Sequence, residues 1–244
     1  MPPIPHARML IHLVFDFSAW LCAWLVSLAV ARLGLLPTPA RSPVTHPGYF
    51  IALGLGAIAG AVLFGSINMT MAGLLGLGHS IAGAIAGGIV GVEIFKWITG
   101  IRGSTGAQFV APLAAGIAIG RWGCFFAGLP DYTYGIATTL PWGVDFGDGI
   151  PRHPVQLYES LSMFLFLTIY LSAIARRSPL FLRQGFYLFV GYYAVQRFLW
   201  EFLKPYPAVA GPFNLFQILC AVMLCYSIFM MSRNHDHRQA LAKF

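Results

Sequence analysis

The chain has 244 residues, of which 58% are hydrophobic and only 9% charged, against about 25% charged in an ordinary soluble domain. Together with a mean hydropathy of +0.73, this excludes a water-soluble globular protein, a disordered chain and a nucleic-acid binder. Fifteen Lys/Arg against eight Asp/Glu leave a net charge of +7. In so apolar a chain such a surplus reads as membrane topology and contact with anionic lipid head groups.

Crossing the roughly 30 Å hydrocarbon layer takes about 20 apolar residues in a helix. Seven runs qualify, at about 10–33, 48–67, 79–99, 107–126, 154–175, 185–203 and 212–232. Prolines and glycines separate them, among them Pro37, Pro47, Gly76, Gly78, Gly100, Gly103, Ser178-Pro179, Pro205 and Pro207. The first run carries Asp16 and lacks a strongly basic leader, so it reads as a retained helix and not as a signal peptide. The expected fold is an all-α integral membrane protein of about seven transmembrane helices. It forms a single polytopic domain over 1–244, with a small segment at about 128–153 between helices four and five and a tail at about 233–244.

Lys/Arg asymmetry sets the orientation. With the N-terminus outside, the inner loops hold Arg32, Arg41, Lys96, Arg102, Arg176, Arg177 and Arg183, and the tail holds Arg233, Arg238 and Lys243. The outer side holds Arg8, Arg121, Arg152 and Lys204, with Arg197 inside the sixth span. This predicts N-terminus out and C-terminus cytoplasmic. The segment 128–153 then lies outside, and the notable polar residues gather at the outer helix ends: His79, Arg121, Arg152, His153, Glu159, Arg197, Glu201 and Lys204. Gly83, Gly87 and Gly91 form overlapping G-x-x-x-G steps, and Gly56/Gly60 and Gly116/Gly120 form one each. That spacing lets helix backbones approach closely.

Three stretches carry candidate chemistry. In Gly120-Arg121-Trp122-Gly123-Cys124, an arginine near the end of an apolar span costs up to about 2.5–3.5 kcal/mol at a helix centre. It reads either as a snorkelling interfacial residue or as a bidentate anion clamp. In the second reading, the flanking glycines bring backbone N–H groups to the same anion. In Gln196-Arg197-Phe198-Leu199-Trp200-Glu201-Phe202-Leu203-Lys204, Arg197 and Glu201 are i, i+4 and share a helix face. This is a self-neutralising network, a second phosphate ligand held by Glu201, or both. Arg152-His153-Pro154-Val155-Gln156-Leu157-Tyr158-Glu159 reads as a helix start, with Glu159 either a partner for an arginine on another helix or a general base. Glu93 and Lys96 read as a local pair, Asp16 as a partner of an arginine, and His6, His12, His46, His235 and His237 as solvated or interfacial. Cysteine spacing suggests no zinc site and no disulfide framework. There is no nucleotide loop, so neither metal nor cofactor is expected.

Taken in order, Gly120-Arg121-x-Gly123-x-Phe125-x-x-Gly128, then Tyr134-Gly135 and Pro141-Trp142-Gly143, then Arg152-His153-Pro154-x-Gln156-Leu157-Tyr158-Glu159, then Arg197-Phe198-x-x-Glu201-Phe202-x-Lys204 with Gln217 resemble one family. It is the prolipoprotein diacylglyceryl transferase family of the bacterial inner membrane, and the resemblance covers about residues 79–232. It implies a multi-pass transferase that moves a diacylglyceryl group from phosphatidylglycerol to the lipobox cysteine of a prolipoprotein signal peptide, releasing glycerol phosphate. Its partners are that lipid, that peptide and the surrounding membrane lipids. The resemblance also implies roles. Arg121 and Arg197 bind the phosphate, and His79 or His153 aids deprotonation. Gly123, Cys124, Gly135, Arg152, Gln156, Tyr158, Glu159, Glu201 and Lys204 shape the substrate site. Four departures are visible. Ala82 stands where the family has a histidine, Cys124 where it has an asparagine and Lys204 where it has an arginine; the family's aromatic start of span one is absent. Two other readings stay open at this stage: a paralogue with the same donor and another acceptor, and a non-catalytic phospholipid binder or transporter.

Overall fold

The computed structural model describes the backbone of residues 5–37 and 46–241 and the side chains of residues 11–37 and 46–233. Arg8, Arg41, Arg238, Lys243, His6, His235 and His237, and with them most of the predicted tail, fall outside the described side chains. Among the described residues there are seven long helices: α1 (Pro5–Arg32), α2 (Pro47–Met71), α3 (Ile81–Thr99), α4 (Val110–Ala127), α5 (Val155–Ala175), α6 (Pro179–Glu201) and α7 (Leu215–Leu241). Two short antiparallel hairpins accompany them, β1 (Val144–Asp145) with β2 (Pro151–Arg152) and β3 (Ala208–Ala210) with β4 (Phe213–Asn214). All seven predicted runs are helical, and the chain is an all-α integral membrane protein. Six helices are long and apolar enough to cross a membrane. The exception, α6, has sufficient length at 23 residues but carries Arg183, Arg197 and Glu201.

The helix ends obey local chemistry. Ser80 caps α3 by accepting from the Gly83 N–H at 3.2 Å. Gly100, at φ 71°, ends the same helix in the left-handed region that a side chain disfavours. Proline occupies the first turn of α2 and of α6, where a missing N–H costs nothing. Gln217 and Asn214 exchange hydrogen bonds at the start of α7. The Asn214 N–H donates to Gln217 Oε1 at 2.8 Å, and the Gln217 N–H donates to Asn214 Oδ1 at 3.0 Å. This reciprocal cap gives the buried Gln217 a structural task.

The chain divides into two compact units. The first comprises residues 1–37 and 106–205, in which α1 packs along α4, α4 along α5 and α5 along α6. The second comprises residues 38–105 and 206–244, in which α2 packs along α3 and α7 lies against both.

Glycine explains the α2–α3 contact. A Cβ on Gly56 would run into the Gly87 carbonyl, one on Gly60 into the Gly83 carbonyl, and one on Gly91 into the Ala52 carbonyl. The predicted G-x-x-x-G faces are therefore each other's partners, with backbone against backbone. Gly116 and Gly120 on α4 share the spacing but not the need. Added Cβ atoms there would meet only Ala23 Cβ at 3.8 Å and Ala19 Cβ at 3.9 Å, ordinary van der Waals contact.

Candidate active site

The first unit assembles four buried charges from three helices, and a fifth from the turn after α6. Arg121 on α4, Glu159 on α5, Arg197 and Glu201 on α6, and Lys204 all lie below 8% exposure. Glu159 is the hub. Its Oε2 pairs with Arg121 Nε, and its Oε1 accepts from Arg197 Nη1 at 2.6 Å and faces Lys204 Nζ at 2.7 Å. Glu201 Oε1 lies 2.7 Å from Arg197 Nε, as the i, i+4 spacing predicts, and 3.5 Å from Lys204 Nζ. Glu159 thus has the arginine partner on another helix that one sequence reading gave it, and it has three cationic partners in all.

The energetics of this network explain its form. Each buried ion loses several kcal/mol of hydration, which only close pairing offsets. Every member has such a pair, yet among the described residues three cations face two carboxylates. The network as joined carries a surplus of one positive charge, in surroundings where charge interactions are stronger than in water. An anion is the complementary ligand.

Two glutamines border these charges. Gln156, on the same helix as Glu159 and one turn before it, is fully buried, and neither its amide nitrogen nor its amide oxygen has a hydrogen-bond partner among the described residues. Gln196, next to Arg197 on α6, is buried in the same condition. A buried amide without partners costs about 1–3 kcal/mol, and a polar ligand removes that cost. Gln156 was among the sequence candidates. Gln196 was not, since one more polar residue on a charged helix gives no distinct signal.

A second group surrounds Tyr158. Trp142 Nε1 donates to Tyr158 Oη at 2.8 Å, His153 Nδ1 lies 3.4 Å from the same oxygen, and the Trp200 ring sits 5.3 Å from the Tyr158 ring. The segment 135–138 places His153 there. The Gly135 N–H donates to the His153 carbonyl, the His153 N–H to the Ile136 carbonyl, and the Ile136 N–H to the Leu203 carbonyl at 2.7 Å. The segment thereby ties the start of α5 to the end of α6. Gly135 is needed for this approach, because a Cβ would lie 2.6 Å from the His153 Cβ. Arg152 pairs with Asp148 and lies over the Tyr134 ring at 5.0 Å. Hydrogen bonding from Arg152 holds the Asp148 carboxyl below the ordinary carboxylate range.

Several sequence readings change here. Gly120 and Gly123 lie inside α4, whose ladder occupies their N–H groups, so these are not free donors for an anion. Gly123 instead admits Phe15 of α1, whose Cβ would be 2.9 Å from an added Cβ. Asp16 pairs with His12 at 2.9 Å and, among the described residues, not with an arginine. His12 is half-buried between Asp16 and Asp131, not simply solvated. Burial pushes the Asp131 carboxyl up, but hydrogen bonds from His12 and Thr133 outweigh it and hold that carboxyl below its usual range. Cys124 Sγ lies 3.8 Å from Arg121 Nη1. Glu93 and Lys96 form the expected pair at 2.8 Å, joined by Tyr226. His79 belongs to the second unit, where it is exposed in the turn before α3, and Ala82 is fully buried in the first turn of that helix.

A profile of the family described as prolipoprotein diacylglyceryl transferase matches residues 14–233 of the chain. A phosphatidylglycerol–prolipoprotein diacylglyceryl transferase of Geobacter sulfurreducens is 31% identical over 224 residues, covering 85% of this chain and 83% of its own. A protein of the same name from Solidesulfovibrio magneticus is 30% identical over 249 residues, covering 95% and 91%. One from Nitratidesulfovibrio vulgaris is 35% identical over 165 residues, covering 62% and 60%. No solved structure matches the chain.

Proposed function

The chain belongs to the prolipoprotein diacylglyceryl transferase family, and from that premise we propose that it moves the diacylglyceryl group of phosphatidylglycerol onto the lipobox cysteine of a prolipoprotein signal peptide. The site lies at the outer half of a bacterial inner membrane, with the N-terminus outside. The observation that carries the reading is the buried network with its surplus positive charge, which matches a phosphodiester monoanion.

In this reaction the cysteine sulfur attacks the glyceryl carbon that bears the phosphate. A C–S bond forms, the C–O bond breaks, and glycerol phosphate leaves with the bonding electrons. The thiol proton passes to a base. Arg121 and Arg197 bind the phosphate, whose leaving oxygen gains charge as the bond breaks, and fixed cations stabilise that charge most when water is excluded. Glu201 and Glu159 hold Arg197 in place, Glu159 holds Arg121, and Lys204 adds a third cation. Gln156 meets a polar oxygen of the lipid. A free thiol, with a pKa of about 8.5, needs help to ionise at neutral pH. His153, held beside Tyr158 in the same unit as the arginines, is the base for this step. Arg152, Tyr158 and the segment around Gly135 shape the entrance, and Gly123 and Cys124 its α4 side.

The test is purified protein with head-group- and acyl-labelled phosphatidylglycerol and a lipobox peptide. Acyl label on the peptide cysteine together with free glycerol phosphate is the expected result. Consumption of the lipid with no label on the peptide replaces this acceptor by another, the reading that the departures at Ala82 and Cys124 favour. No consumption of the lipid leaves a phospholipid binder.

A further inference from the structure

A second group of side chains in the first unit meets the site above only at Cys124. His12 comes from α1, Cys124 from the last turns of α4, and Asp131 from the single 3₁₀ turn Leu129–Asp131 that follows. One donor atom from each lies within 4.8 Å of the other two. Around a tetrahedral ion with bonds of about 2.0–2.3 Å, neighbouring ligand atoms sit about 3.3–3.8 Å apart. His12 Nε2 and Asp131 Oδ1 are 3.5 Å apart, inside that window.

The surrounding contacts orient these atoms inward. The Asp16 carboxylate can only accept, so His12 Nδ1 donates to it, at 2.9 Å, and Nε2, the other ring nitrogen, faces Asp131, where a metal ion would replace its proton. Thr133 Oγ1 donates to Asp131 Oδ2 at 2.5 Å, which leaves Oδ1 toward the histidine. A carboxylate on the far nitrogen of the ring is the arrangement that orients metal-bound histidines. Arg121 Nη1 lies 3.8 Å from Cys124 Sγ on the same side of the cluster.

We propose that His12 Nε2, Cys124 Sγ and Asp131 Oδ1 bind one zinc ion, with the fourth position open to water. Asp16 and Thr133 hold two of the ligands in place. Nitrogen, sulfur and oxygen donors together suit zinc, and the sulfur disfavours magnesium and calcium. Thiolate and carboxylate match the two charges of the ion. The metal-binding test below does not depend on diacylglyceryl transfer.

The test uses full-length protein without a histidine tag, in detergent, stripped by chelator and titrated with Co²⁺ and then Zn²⁺. One equivalent of Co²⁺ per chain is expected to give a sulfur-to-cobalt charge-transfer band that Zn²⁺ abolishes. Cys124→Ser should remove the band, and His12→Ala or Asp131→Asn should weaken binding at least tenfold. Asp16→Asn should weaken it by about 10–100-fold while keeping the band. Cys225→Ser, at an exposed cysteine of α7, should change nothing. No band, or binding that survives both Cys124→Ser and His12→Ala, overturns the site. Should the variants fail to fold, X-ray absorption of the zinc-loaded wild-type protein decides. One sulfur with nitrogen or oxygen neighbours supports the site, and nitrogen and oxygen alone overturn it.

Discussion

The α2–α3 pair of one unit and the α4–α5–α6 group of the other bring helices together by opposite means. In the first, glycines clear the points of closest approach, so that Gly56 and Gly60 meet the carbonyls of Gly87 and Gly83. In the second, long charged side chains fill the space, and Glu159 joins Arg121, Arg197 and Lys204. The glycine seam gains van der Waals contact and leaves no room for a ligand. The charged group keeps an electrostatic imbalance that a ligand can complete. Packing and function are thus separated within one membrane protein, and each can be broken without the other's chemistry.

The largest effect is expected from Glu159→Gln. It leaves three buried cations around a neutral group, a loss of about 3–5 kcal/mol, visible as a large drop in unfolding temperature in detergent together with loss of lipid turnover. Gly56→Ala comes next. Its Cβ meets backbone that cannot swing aside, so a loss of about 1–3 kcal/mol is expected. Gly116→Ala, at the same spacing in α4, should be neutral or stabilising by up to about 1 kcal/mol, because alanine suits a helix better than glycine. Equal losses at Gly56 and Gly116 in a thermal melt would erase the distinction between the two glycine faces. The smallest effect belongs to Asp148→Asn. The Asp148 carboxyl is held below its unfolded value of about 3.9, so its ion pair with Arg152 supports the fold above that pH and is lost as pH falls through the lower folded value. The variant should melt slightly below wild type at pH 7 and together with it once the wild-type Asp148 carboxyl is protonated.

Most of the fold was legible because spans of about 20 apolar residues have few alternatives in a membrane. The i, i+4 relation of Arg197 and Glu201 was legible too, since helix geometry alone puts them on one face. What spacing cannot carry is the partner. Gly56/Gly60 and Gly116/Gly120 read alike, and only the neighbouring helix shows that the first pair touches backbone. Glu159 as hub of three cations depends on the packing of α4, α5 and α6. Gln217 was only the last residue of the resemblance, and its hydrogen bonds with Asn214 at the start of α7 could not be read from spacing. His12, Cys124 and Asp131 are too scattered along the chain for any metal-ligand spacing to reveal them.

The most direct measurement is turnover of labelled phosphatidylglycerol by Arg197→Gln, a change that keeps hydrogen-bond donors near Glu159 and Glu201 but removes the charge surplus. With folding verified by thermal melting, a fall in turnover of about 10²–10³-fold is expected, the magnitude typical of losing one stabiliser of developing negative charge. Turnover within twofold of wild type in a folded variant would contradict a phosphate held by this network.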